Sequence, residues 1–279
     1  VTGLSISTDA GVFDAIVAGP PEGRPVMLLH GFPQTGLVWQ RQIAALAAQG
    51  CRVVAPDQRG YSPGARPSRP EHYRVNHLVD DVVAIAEELG WAAFDLIGHD
   101  WGGAVAWWTA HAHPGRLRTL TVVSTPHPGA LATSLRTDED QRTRSHYMID
   151  WRETPATEER MLAHDARELR SLYAEKVPQD SVEAYVRHLS RPGALTAALH
   201  WYRAGRPDGA IGVIDVPTLY VWSTQDSAFG PTAAQETRRW VNGPYRFETL
   251  QGVSHWVPEE APETLSRLML EHLRTHGEL

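Results

Sequence analysis

The run Leu96-Ile97-Gly98-His99-Asp100-Trp101-Gly102-Gly103 sets a carboxylate at the centre of a Gly-x-nucleophile-x-Gly frame. In such a frame an apolar strand turns sharply into a helix and holds the central side chain out at the top of a sheet. A serine there would have to lose a proton and would suit acyl transfer. Asp100 is already ionised at neutral pH and can displace a leaving group from a saturated carbon, which leaves an ester on the protein itself. Gly98 and Gly102 give the strained backbone of the turn its room.

Two further residues stand in the right order to free that ester. Asp226 follows the apolar run Leu219-Tyr220-Val221-Trp222, and His255 lies in Gly252-Val253-Ser254-His255-Trp256, after a run that ends at Leu250. Nucleophile, acid, histidine is the chain order of a hydrolytic triad built on this kind of sheet. A neutral His255 would take a proton from water and aim the hydroxide at the ester carbonyl, while Asp226 fixes the ring tautomer and stabilises the imidazolium. His30-Gly31-Phe32-Pro33 closes the first buried run. The backbone N–H groups of Phe32 and Trp101 are the candidates for an oxyanion hole. Phe32, Pro33, Trp101, Trp201 and Trp256 are the candidate walls of an apolar pocket, the last three drawn from ten tryptophans that core packing would mostly explain.

These residues need a sheet to hold them. Val26–Leu29, Arg52–Ala55, Phe94–Ile97 and Leu120–Val123 are short β-rich apolar runs of the kind buried in a parallel sheet. The spacing of Ile43, Ala44, Leu46 and Ala47, and of Leu78, Val82, Ile85 and Leu89, predicts one-sided helices between them, joined by right-handed crossovers. Gly3–Thr8 and Gly11–Ala18 predict an edge hairpin turning near Asp9-Ala10-Gly11. After Pro126-His127-Pro128-Gly129 the pattern changes to helices with many arginines and several aromatics, from about Ala130 to Arg206. Strand character returns at Val216–Trp222 and Tyr245–Leu250, before a helical tail at Pro262–His276. The chain therefore reads as an α/β fold, a mostly parallel sheet flanked by helices. Its core is 1–127 and 210–279, and a helical lid is inserted at 128–209.

Composition sets the outer limits. A chain of 279 residues with 42% hydrophobic content can bury one large core. A net charge of -7 without a long run of one sign argues against a nucleic-acid partner, and no segment approaches the roughly 18 apolar residues of a membrane span. Val1-Thr2-Gly3-Leu4-Ser5 lacks a basic region followed by an apolar one, and the single Cys51 cannot form an internal disulfide, so a soluble, cytoplasmic protein is expected. Monomer and homodimer fit equally. Cys51 reads as a buried strand-entry residue. Arg142, Arg144, Arg160 and Arg170 stand among acidic residues and read as solvated helix faces rather than an anion site. His111 and His113, one residue apart in a helix, point to different faces, which counts against zinc. No glycine-rich phosphate loop follows a strand. The chemistry calls for no metal and no organic cofactor.

Together the motifs resemble those of the epoxide hydrolases, in the Asp-nucleophile branch of the α/β-hydrolase superfamily. The similarity runs from the His-Gly-Phe-Pro turn to the terminal histidine loop. Ser145-His146-Tyr147-Met148 and Leu199-His200-Trp201-Tyr202-Arg203 are similar to the two family segments that each carry a lid tyrosine. The resemblance implies an α/β-hydrolase fold, a cis Phe32–Pro33 peptide, and Tyr147 and Tyr202 as donors to the oxygen of a small apolar epoxide, which water converts to a vicinal diol. Phenols suit that task, because with a reference pKa about 10 they stay protonated at neutral pH. Asp57-Gln58-Arg59-Gly60-Tyr61-Ser62 resembles a structural loop of the family, in which Asp57 and Arg59 pin a turn.

Other activities share parts of this set. Haloalkane dehalogenases have the same nucleophile, histidine and following tryptophan, so Trp101 does not separate the two. They pair that indole with an Asn after the His-Gly, where this chain has Phe32, or with a lid tryptophan, a place Trp151 and Trp201 leave open. Fluoroacetate dehalogenases are expected to carry arginines where this chain has Trp101 and Ala104. Their acid follows the preceding strand, where this chain has Ser124-Thr125-Pro126, so Asp226 must serve. A serine-type esterase lacks its hydroxyl here. A catalytically silent fold that only binds a ligand is an alternative of another class. Such a module would keep its affinity in Asp100→Ala with no turnover to lose.

Overall fold

The computed structural model describes residues 1–153, 156–205 and 209–278. Strands β1 (Thr2–Thr8) and β2 (Gly11–Ala18) form an antiparallel hairpin. The chain then runs β3 (Arg24–Leu29), α1 (Gln40–Ala47), β4 (Cys51–Pro56), α2 (Val75–Glu88), β5 (Phe94–His99), α3 (Trp101–Ala112) and β6 (Leu117–Val123). A helical insertion follows, made of α4 (Pro128–Thr137), α5 (Glu139–Arg144), α6 (His146–Glu153), α7 (Thr157–Ser171), α8 (Gln179–Leu189) and α9 (Ala194–Arg203). The sheet resumes with β7 (Thr218–Gln225), α10 (Pro231–Glu236), β8 (Tyr245–Ser254), α11 (Val257–Glu260) and α12 (Pro262–Thr275). The expected end of the helical block at Arg206 lies outside the described residues.

The eight strands are ordered β1-β2-β4-β3-β5-β6-β7-β8, and every pair from β4 to β8 is parallel. From β3 the chain moves one way to β4, then crosses back over β3 to β5. This reversal opens a crevice beyond the carboxyl ends of β3 and β5, the place where open α/β sheets bind ligands. The loop after β3 carries Phe32 and the turn after β5 carries Asp100. Helices cover both faces, so β5 is buried at every residue, including Asp95 and His99 beside its apolar Phe94, Leu96 and Ile97.

The strands extend past the apolar runs that mark them. β7 continues to Gln225, and β8 continues to Ser254 with only half-buried or exposed residues. Hydrophobic runs report the covered stretch of a strand, whereas backbone pairing continues into its polar end. That extra length brings Asp226 and His255 to the same rim. At the opposite rim, Arg24 pairs with Asp95 through Nε–Oδ2 (2.6 Å) and Nη2–Oδ1 (2.8 Å), both residues buried. Thr119 donates to Asp95 Oδ1 at 2.7 Å, and Arg24 also donates to the Leu273 carbonyl.

Candidate active site

Asp100 sits between β5 and α3 with φ 52 and ψ -121. For a residue with a Cβ that conformation costs about 1–3 kcal/mol, and the packing around it must enforce it. Close approach explains the glycines: a Cβ on Gly98 would run into the Gly102 carbonyl, one on Gly102 into the Leu29 carbonyl, and one on Gly31 into the Asp100 side chain itself. Opposite the elbow, the Phe32–Pro33 peptide is cis.

The two oxygens of Asp100 are treated differently. Oδ1 accepts from the Phe32 amide at 2.8 Å, whereas Oδ2 faces His255 Nε2 at 3.5 Å. His255 Nδ1 lies 3.1 and 3.0 Å from the two oxygens of Asp226. Asp226 is in turn held by the Ala228 and Phe229 amides at 2.8 and 3.0 Å. All three side chains are buried. Burial disfavours the Asp100 carboxylate, but His255 beside it and the bonding Trp101 amide outweigh this and hold the group below its usual range. Burial likewise disfavours the His255 imidazolium, yet the charges of Asp226 and Asp100 push it up to about 10. The resting site is thus an imidazolium between two carboxylates.

Tyr147 on α6 and Tyr202 on α9 meet above this group, with ring centroids 6.3 Å apart. Burial, with the Asp100 charge adding to it, keeps both phenols protonated well above their usual range. Asp100, Tyr147 and Tyr202 line two cavities at once. One, of about 200 Å³, is walled by Trp101, Trp108, Leu131, Met148, Trp201 and Phe229. The other, of about 220 Å³, is walled by Phe32, Pro33, Trp151, Leu172, His255 and Trp256. All five pocket walls read from the sequence lie here. Trp108 and Trp151 join them, while Trp107 is core, donating to the Thr125 carbonyl at 3.1 Å.

Sequence reasoning missed the supports. Thr125 donates to the Asp100 carbonyl at 2.6 Å. The Gln58 amide donates to His30 Nε2 at 3.1 Å, and its side chain donates to the His30 carbonyl at 2.6 Å, so the loop after β4 props the loop after β3. Asp57 accepts from the Gly36 amide at 2.7 Å and Arg59 pairs with Asp81, both structural roles. From the insertion, the Tyr173 hydroxyl donates to the Pro33 carbonyl at 2.9 Å, and Arg144 donates to the Asp226 carbonyl. The Trp201 indole is committed to the Arg59 carbonyl at 2.9 Å. These partners lie 21 to 142 residues apart, and only the strand order shows which loops meet.

Cys51 opens β4 fully buried, and burial pushes its thiol up to about 11. Arg160 pairs with Asp150 and Glu168, and Arg170 with Glu183, as solvated faces would. Arg144 departs from that expectation through its bond to the Asp226 loop. Among the described residues no cluster of three His, Cys, Asp or Glu could hold a metal ion, and no helix is long and apolar enough to cross a membrane.

Comparison with known proteins agrees with this geometry. The sequence model of the alpha/beta hydrolase fold family matches residues 24–262. The AB hydrolase superfamily protein YfhM of Bacillus subtilis is 32% identical over 278 residues, covering 96% of each chain. Epoxide hydrolase 3 of Xenopus tropicalis is 30% identical over 281 residues, 95% of this chain and 76% of that one. A crystal structure of Bacillus megaterium epoxide hydrolase with an inhibitor superposes with a TM-score of 0.89 at 26% identity, covering 97% of this chain and 100% of the other.

Proposed function

The chain belongs to the epoxide hydrolase family of the α/β-hydrolase superfamily, and on that premise we propose that it converts an apolar epoxide to a vicinal diol through an ester on Asp100. One observation carries the reading. Asp100 and two protonated phenols border both cavities, and His255, which faces Asp100 Oδ2 and is held from behind by Asp226, borders one of them.

In the first step Asp100 Oδ2 attacks an epoxide carbon, the carbon–oxygen bond breaks, and the electron pair passes to the epoxide oxygen. Tyr147 and Tyr202 hold that oxygen and give it a proton, and the phenolate is reprotonated at the expense of the His255 imidazolium. Esterification removes the Asp100 charge, one of the two that hold His255 protonated, so the ring becomes a competent base as it is needed. Neutral His255 then takes a proton from water, and hydroxide attacks Cγ of Asp100. The charge develops on Oδ1, which the Phe32 and Trp101 amides stabilise. Collapse breaks the Cγ–Oδ2 bond and expels the alkoxide, which takes the His255 proton to complete the diol with Oδ2 in it, and the carboxylic acid then gives its own proton to the neutral His255. The insertion, 128–209, acts as the lid that carries the tyrosines and excludes water.

Dehalogenation is disfavoured by the Trp201 indole, whose N–H is spent on the Arg59 carbonyl rather than offered to a halide. A single turnover of an aryl epoxide in heavy-oxygen water tests the reaction. The label is expected in Asp100 by peptide mass analysis; label in the diol alone would refute the ester route. A bromoalkane run in parallel should release no halide.

A further inference from the structure

His255 directly follows the edge strand β8, whose last stretch is thinly covered: Gln251 and Gly252 are exposed, with Gly252 at φ +72 and open space around it. Asp226 holds one nitrogen of its ring. The pairing of β8 ends at Ser254, one residue short of the base, and a base displaced by an ångström loses much of its effect.

The backbone is held from the other side. His99 Nε2–H donates to the His255 carbonyl at 2.9 Å, and the Ser124 hydroxyl donates to the same oxygen at 3.2 Å. Both donors are fully buried, one at the end of β5 next to the nucleophile and one just past β6. Ser124 takes φ 68, an unusual conformation for a side-chain-bearing residue, and its own carbonyl is fixed by the Tyr220 hydroxyl at 2.9 Å. The His99 and His255 rings lie 4.9 Å apart. Burial pushes His99 down to about 4, so it stays neutral at ordinary pH. A carbonyl only accepts, so Nε2 carries the proton. His99 therefore offers a donor while setting no positive charge against the imidazolium beside it.

We propose that His99 is a positioning residue for the base of the second half-reaction, clamping the His255 main-chain carbonyl together with Ser124 and so tying the base to the strand that carries the nucleophile. The assignment rests on the reaction proposed above. It gives the residue before the nucleophile a task chiefly in ester hydrolysis, the half-reaction in which His255 itself acts on the attacking water.

The test separates the two half-reactions with an aryl epoxide, using rapid quench and intact-protein mass to follow the ester. In His99→Phe, ester hydrolysis should slow by about tenfold or more while alkylation changes by less than about twofold. The ester then accumulates, and KM falls together with kcat, a pattern a merely structural defect does not give. His99→Gln, which keeps a donor of similar reach, should restore hydrolysis. Equal loss in both steps, unchanged hydrolysis, or a Gln variant as slow as the Phe variant would overturn the assignment. Should His99→Phe not fold, Ser124→Ala decides: a roughly twofold to fivefold slowing confined to hydrolysis supports the clamp, and no slowing refutes it. Ester in the wild-type protein without accumulation in the variants defeats the clamp alone. Diol formed by the wild type with no ester defeats the proposed reaction and the clamp with it.

Discussion

At the two ends of β5 stand two buried carboxylates, Asp95 near its start and Asp100 just past its finish. Asp95 is saturated, with two contacts from Arg24 and one from Thr119. Asp100 has one oxygen fixed by the Phe32 amide and the other set toward His255 at the longer distance of 3.5 Å, facing two cavities. Burial is common to both, so burial does not make a nucleophile. What differs is whether both oxygens are held by close, strong donors. A carboxylate locked in a bidentate ion pair has nothing left with which to attack, whereas one held by half keeps its geometry and its reactivity together.

Removing each group in turn should separate the two roles. Asp100→Ala should lose turnover by more than about 10³-fold while its urea midpoint stays near the wild-type value, since it deletes a buried charge without stranding another. Turnover surviving in that variant would end the comparison. Next in size, Tyr147→Phe with Tyr202→Phe should slow ring opening by about 10²–10³-fold, the usual consequence of losing donors to a developing oxyanion. Rapid-quench detection of the ester measures this, and near-normal rates would take the phenols out of the mechanism. Asp95→Asn should do the reverse of Asp100→Ala: it leaves Arg24 buried without its charge partner and should cost about 3–5 kcal/mol by urea unfolding, with activity per folded molecule preserved.

The last effect concerns pH. His255 is raised from 6.5 to about 10 in the folded protein, so the native state binds its proton more tightly than the unfolded chain does. Its contribution to stability is therefore complete below about pH 6.5 and is lost as pH rises through about 10. His255→Gln should flatten that part of the stability profile. An equal decline in wild type and variant would show that the imidazolium is not held by the two carboxylates.

Much of this was legible before any coordinates. The elbow is a local motif of fixed spacing, although its Gly102 answers to the Leu29 carbonyl on the neighbouring strand, and the order of Asp100, Asp226 and His255 follows from a sheet whose strands are marked by apolar runs. Tyr147 and Tyr202 were reachable only through family resemblance, because a tyrosine on a helix carries no periodic signal of catalysis. Ser124, Thr125 and Gln58 were not reachable at all. Their roles depend on β3, β5, β6 and β8 ending at one rim, a fact of topology rather than of spacing. Trp108 and Trp151 escaped for a related reason, since a tryptophan facing a cavity and one facing the core look alike in a sequence.

The sharing of Asp100, Tyr147 and Tyr202 by two chambers has an engineering consequence. The reacting groups form a partition, and side chains such as Leu131 on one side and Leu172 on the other furnish the rooms without holding the partition up. Each room can be enlarged or narrowed by exchanging hydrocarbon for hydrocarbon, leaving the hydrogen bonds of the partition intact. The fold is in that sense a chassis, on which shape preference for the two arms of a substrate can be bred separately while the bond-making machinery is inherited unchanged.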